Sequence, residues 1–171
     1  MCAQEGALVE DPSHINSVFA SFYKTLYSSE LPSDLSDMHA LLQDLKFPEM
    51  DPLIIDQLES SLTTQELQLA LQNMQNSKAP VPEGFPVEVF KAFHIQLMPL
   101  LHSVYTESLT KGSLPDTLRQ ASVSVLLKKG KDPDLCTSYR PISLMNVDTE
   151  ILSKALAYHL EKVLPTIISK E

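Results

Sequence analysis

The sequence predicts a mostly helical α+β fold, with helices packed around one β-hairpin. Three observations predict it. Apolar residues recur at helical spacing through most of the 171 residues; the period switches to alternation after residue 121; and a turn bearing Gly130 and Pro133 separates that stretch from a second β-prone one. The length suits one domain, and 43% hydrophobic with 20% charged residues is the composition of a globular chain. With no tryptophan and few aromatics, the core must come from Leu, Ile, Val, Ala and Met.

In "SHINSVFASFYKTLYSSE", Ser13 is placed to cap a helix over 14–27 whose Ile15, Val18, Phe19, Phe22 and Leu26 share one face. The stretch from "LPSDL" to "FPEMDPL" carries three prolines and many acids, and reads as a loose connection with a short helix around Met38 to Leu45. Thr63 and Glu66 form a capping box for a helix over 64–75, with Leu67, Ala70, Leu71 and Met74 inward. Residues 87–111 follow as one helix, or two bent near Pro99, ended by Gly112. "ASVSVLLK" is a strand over 121–128, "KGKDPD" a turn in which Gly130 supplies positive φ, and 138–144 the return strand, confined to an edge or bulge by Pro141. A last helix, capped by Asp148, turns Ile151, Leu152, Ala155, Leu156 and Leu160 inward.

Charge is distributed unevenly. Residues 1–77 hold twelve acidic and two basic residues, while 78–171 hold ten acidic and eleven basic, within a net charge of −9. The second half is therefore free to meet phosphates. A strand ending in Lys128 and a return strand opening on Arg140 would bring an ammonium and a guanidinium to one end of the hairpin, a compact anion clamp. Tyr139 beside it reads as a packing residue, and Asp132 and Asp134 as turn formers. Cys2 and Cys136 have no CxxC or His-Cys spacing and read as reduced thiols, and the five histidines form no metal-binding pattern. No apolar run approaches the roughly 18 residues of a membrane span, and no signal peptide opens the chain, so an intracellular protein without membrane contact is expected, nucleus or cytoplasm undetermined.

"SYRPISLMNVDTEILSKALAYHL", preceded by "VLLKKGKDPD" and "GSLPDTLRQA", closely resembles the fingers of reverse transcriptases from non-LTR (LINE-type) retrotransposons, whose pattern runs N-Y-R-P-I-S-L-L-N-x-D-x-K-I-L-A-K-x-L-A-x-R-L. Upstream, "LTTQELQLALQNMQNSKAPVPEGFPVEVFKAF" resembles that family's L-T-x-x-E-[IL] and S-K-A-P-G-P-D-G blocks, and "INSVFASFYKTLYSSE" its segment between endonuclease and polymerase. The resemblance implies an acidic helical connector over 1–62 and a partial fingers domain over 63–171. It implies that Lys128 and Arg140 reach the triphosphate of an incoming nucleotide, and that Lys78, Ala79, Pro80 and Gly84 lie near the template. RNA or DNA template and deoxynucleotide would be the partners, and Mg2+ the cofactor of the parent polymerase, with no cofactor in this segment.

The departures are specific. Val81 and Glu83 replace a glycine and an aspartate, Glu150 stands at a lysine position and His159 at an arginine position, and Leu127 replaces a proline. The palm carboxylates that hold two metal ions in such enzymes are missing: no Asp-Asp pair occurs, and the chain ends just before the family's D-Q-x-G-F. With palm and thumb absent, a truncated piece of an RNA-directed DNA polymerase is expected, inactive alone. The alternatives are an acidic helical module co-opted from a retroelement, binding a protein through exposed apolar faces, and a nonfunctional remnant.

Overall fold

The computed structural model describes residues 2–4, 7–28, 39–40, 42–43, 50–77 and 84–168. The elements in chain order are β1 (Cys2–Gln4), β2 (Ala7–Val9), α1 (Pro12–Leu26), α2 (Pro52–Glu59), α3 (Thr64–Gln72), α4 (Val87–Ala92), α5 (His94–Lys111), β3 (Ala121–Leu127), β4 (Tyr139–Met145), α6 (Val147–Glu161) and α7 (Leu164–Ile167). The fold is thus mostly helical, with β3 and β4 forming a two-stranded antiparallel hairpin. Of the helix expected around Met38 to Leu45, His39, Ala40, Leu42 and Gln43 are helical, and the other positions lie outside the described residues.

The chain divides into two compact units, each built from two stretches: Met1–Phe47 with Val123–Ile142, and Pro48–Ser122 with Ser143–Glu171. In the second, the apolar face of α3 is fully used: Leu67, Ala70, Leu71 and Met74 are all buried, alongside Met98 and Tyr105 from α5 and Ile151, Leu152 and Ala155 from α6. Each fully buried Leu or Ile contributes about 1.5–3 kcal/mol relative to exposure, so this cluster is the main source of stability. The Tyr105 hydroxyl donates to the Asp148 carbonyl at 2.7 Å, and Thr149 Oγ1 to the Leu118 carbonyl at 3.0 Å, so the polar atoms that burial would otherwise strand are satisfied. Burial, then the nearby Asp148 carboxylate, pushes the Tyr105 hydroxyl pKa up, keeping it a neutral donor.

The capping box at α3 forms in full: Glu66 N–H donates to Thr63 Oγ1 at 3.2 Å, and Thr63 N–H to Glu66 Oε2 at 2.9 Å. Gly112 ends α5 in the left-handed conformation at φ 69, as its position predicts. Helix boundaries, caps and one helix face are corrected. The break between α4 and α5 falls at Phe93, and α5 runs through Pro99. Only one ladder bond, to the first-turn carbonyl of Ile95, is lost there. The caps of α1 and α6 are Asp11 and Asn146 rather than Ser13 and Asp148; Asp11 accepts from His14 N–H at 2.9 Å and Pro12 takes the first helical position. The inward face of α6 is Ile151, Leu152, Ala155 and His159, whereas Leu156 and Leu160 are exposed.

In the first unit the core is smaller: Val18 and Cys136 are buried, with Ile15, Phe19 and Phe22 packed against them. Leu26, expected on this face, is exposed. Cys136, whose spacing suggests a reduced thiol, is disulfide-bonded.

Candidate nucleotide-contacting hairpin

The register of the β3–β4 hairpin is read from the hydrogen bond that continues its ladder at the tip. Lys128 N–H donates to the Ser138 carbonyl at 2.9 Å, and the two strands are seven residues each. Lys128 therefore opposes Ser138, and Leu126 opposes Arg140. Because side chains alternate, Lys128, Leu126 and Arg140 share one face of the ribbon, and Lys128 and Arg140 are diagonal neighbours about 7–8 Å apart. Inward-pointing backbone groups belong to the even-numbered residues. Pro141 consequently sits opposite Val125 at a position whose missing N–H would have pointed away from β3, so proline costs the ladder nothing.

The turn is built from its own residues. Gly130 adopts φ 72, Lys131 N–H donates to the Lys128 carbonyl at 3.1 Å, and Asp132 Oδ1 accepts from Asp134 N–H at 2.9 Å. Tyr139 packs, as the sequence suggests: its ring meets Phe19 edge-on at 4.9 Å and its hydroxyl donates to the Pro133 carbonyl at 2.9 Å. The Tyr23 hydroxyl reaches the outward-pointing Tyr139 carbonyl at 3.4 Å, a long bond that ties α1 to the outer edge of β4.

The two clamp cations differ. Lys128 is half-buried and its ammonium donates to the Thr137 carbonyl at 2.8 Å, which closes the base of the loop and leaves two of its three donors for a ligand. Arg140 is exposed and makes no ion pair or side-chain hydrogen bond among the described residues. Its fork of donors is fully available to an anion. The sequence distinguishes the pair only as a point charge and a planar fork; the burial of Lys128 and its loop-closing bond are signalled by no sequence pattern.

On the template side, Lys78, Ala79 and Pro80 lie outside the described residues, and Gly84 is half-buried. The helix ends flanking that stretch are held firmly. Lys91 Nζ donates to the Met74 carbonyl and to Asn76 Oδ1, both at 2.7 Å, and Ser77 N–H donates to Glu88 Oε1 at 2.6 Å. The bond from Ser77 N–H lowers the Glu88 pKa, and Ser77 itself takes a left-handed φ of 61. A cavity of about 550 Å³ opens beside the end of α3, lined by Asn73, Met74, Gln75, Met145, Glu150, Ser153 and Lys154. Lys154 Nζ donates to the Asn73 carbonyl at 2.6 Å, and the acidic Glu150 shares this lining. Sequence reasoning missed the cavity because its walls come from three separate elements, the end of α3, the end of β4 and one side of α6.

Glu66 and His159 were also missed as a pair. His159 is buried, and its Nε2 lies 2.7 Å from Glu66 Oε1, joining the start of α3 to the last turn of α6. Burial pushes the Glu66 carboxyl up, but the bonds from Thr63 N–H and hydroxyl and from His159 outweigh it, so its pKa is lowered.

Among the described residues no group of three or more His, Cys, Asp or Glu side chains converges as a metal site. No helix among the described residues is long and apolar enough to cross a membrane.

The chain is homologous to part of a transposon protein. That relative, the "Transposon TX1 uncharacterized 149 kDa protein" of Xenopus laevis, is 36% identical over 166 residues, which is 97% of this chain and 12% of the relative. The chain spans about an eighth of that protein's length. No family model matches the chain.

Proposed function

We propose that this chain is the connector (1–62) and part of the fingers (63–171) of a LINE-type reverse transcriptase, intracellular like its parent polymerase. Its role would be to contact template and incoming nucleotide rather than to catalyse by itself. The observation that carries the reading is the placement of Lys128 and Arg140 as diagonal neighbours on one face of the hairpin, in a chain 36% identical along nearly its whole length to a transposon protein. Arg140 supplies a planar fork and Lys128 a point charge, the combination that suits the oxygens of a triphosphate. In the parent enzyme Mg2+ and palm carboxylates would do the phosphoryl chemistry; this chain contains no Asp-Asp pair.

Binding of a fluorescent deoxynucleoside triphosphate tests the reading. Affinity should be weak and should fall as salt rises, since few phosphates are met. Arg140→Ala should remove more of it than Lys128→Ala, and the double variant most of it, while Lys24→Ala should change little. Equal losses from Lys24 and Arg140 would sink the assignment. Primed RNA with nucleotides and Mg2+ should not be extended by the chain alone.

A second reading, a co-opted protein-binding module, draws support from the large apolar side chains left exposed in both units, Leu126 and Val123 in one and Phe85 and Ile95 in the other.

A further inference from the structure

The two edges of the hairpin are not alike. The outer edge of β4 carries Pro141 where a third strand would need a donor, and the Tyr23 hydroxyl already engages the Tyr139 carbonyl. The outer edge of β3 carries neither obstacle. Lys128 N–H points toward β4, so by alternation the N–H and C=O groups of Ala121, Val123, Val125 and Leu127 point away from it. Those groups have no partner among the described residues, and the two strands form a sheet of their own. The strand "ASVSVLL" holds no charge and no proline, the features that normally protect a free edge, and Val123 and Leu127 are exposed.

Electrostatics names the occupant. Residues 123–142 contain Lys128, Lys129, Lys131 and Arg140 against only Asp132 and Asp134, in a chain whose net charge is −9. Asp132 is turned onto Asp134 N–H, while Lys129 and Lys131 are exposed at the tip and unpaired among the described residues. These cations stand at the C-terminal end of β3.

We propose that β3 is a docking edge for an extended peptide segment of a partner protein, which adds as a third, antiparallel strand with its acidic residues over Lys129 and Lys131. Antiparallel addition places the N-terminal end of the peptide at the hairpin tip, so the acids precede an alternating apolar stretch. Backbone bonds to Val123 and Val125 supply affinity and register; apolar contact with Val123 and Leu127 and the charge at the tip supply selection. A nucleic acid strand would use the lysines but has no use for a row of peptide donors and acceptors.

The test uses the full chain and a fluorescein-labelled peptide in which a run of glutamates precedes alternating Val and Thr long enough to span the seven residues of β3. Anisotropy should report saturable binding, weakened by the reversed arrangement with glutamates last. Val123→Pro removes an outward donor without touching the β4 ladder and should weaken binding about tenfold, near the value of one net hydrogen bond plus the steric block. A peptide N-methylated at the positions facing β3 should lose as much, and this arm does not depend on any variant folding. Lys129→Glu with Lys131→Glu should weaken binding and flatten its salt dependence. The proposal is overturned if N-methylation has no effect, if glutamate order is immaterial, or if poly-uridine RNA binds through Lys129 and Lys131 while the peptide does not.

Discussion

The helical unit and the hairpin unit obey the same packing rules with very different resources. In the first, Leu67, Ala70, Tyr105, Ile151 and Ala155 are completely inaccessible to solvent. In the second, the core is Val18 and Cys136 with three half-buried neighbours, reinforced by aromatic contacts along α1 and by the disulfide at Cys136. The residues proposed above to meet a nucleotide, Lys128 and Arg140, sit on the modestly packed side. Binding loops are commonly drawn from the less stable parts of a fold, because a side chain free to meet a ligand is one the core does not hold.

Core truncation should expose this contrast most strongly. Leu67→Ala should cost about 3 kcal/mol in urea denaturation, and Val18→Ala about 1 kcal/mol, since the loss scales with the cavity left behind. Equal costs would erase the distinction between the units. Hydrogen exchange should sharpen it: amides in the middle of α5 should exchange about a hundredfold more slowly than those of Val123 to Leu126 and Ile142 to Leu144, because a two-stranded ribbon is marginal alone. Comparable protection would mean that the hairpin is self-sufficient.

Acid provides a smaller effect, read in the helical unit at Glu66. The folded carboxyl of Glu66 lies below its ordinary value of 4.5, so its contribution is fully present above that value and is lost as pH falls through the lowered folded pKa. Glu66→Ala should cost about 1–2 kcal/mol near neutral pH and make the acid limb of a stability-versus-pH curve shallower. An unchanged limb would show that other carboxylates govern acid unfolding. The smallest effect belongs to the hairpin: Tyr139→Phe removes the bond to Pro133 but keeps the ring on Phe19, and should cost about 0.5–1 kcal/mol in the same denaturation assay.

Much of the fold was legible because it rests on local rules. The capping box at Thr63, the apolar face of α3, the left-handed glycines at 112 and 130 and the alternating strand are each written within a few residues. Three Asp-Pro dipeptides show both the reach and the limit of such reading. Asp11-Pro12 and Asp51-Pro52 each start a helix, with the aspartate accepting a backbone N–H and proline taking a first-turn position that needs no donor. That signal was available, yet the loose connection is drawn through Asp51-Pro52 as far as Leu53, and α2 is not anticipated. Asp132-Pro133 uses the same aspartate-to-backbone bond but belongs to a hairpin turn, with no α-helix after it until the hairpin has closed. The β1–β2 pair was missed because three-residue strands carry no usable period. The face of α6 was misjudged because a buried histidine counts as polar in any pattern of hydrophobicity, and its acceptor is 93 residues away. The bond that occupies Lys128 is a tertiary fact that no local pattern carries.

The Glu66–His159 bridge gives the helical unit a direction in which to come apart. If the last turn of α6 frays, Glu66 keeps both bonds to Thr63, and the start of α3 is undisturbed. If the start of α3 opens first, His159 is left inside the protein without its only side-chain partner among the described residues, so the two helices must yield together. Fraying from the α6 end is therefore a private event, and opening from the α3 end a shared one. Solvent should reach the amides around Leu160 without reaching those of Leu67, and never in the opposite order.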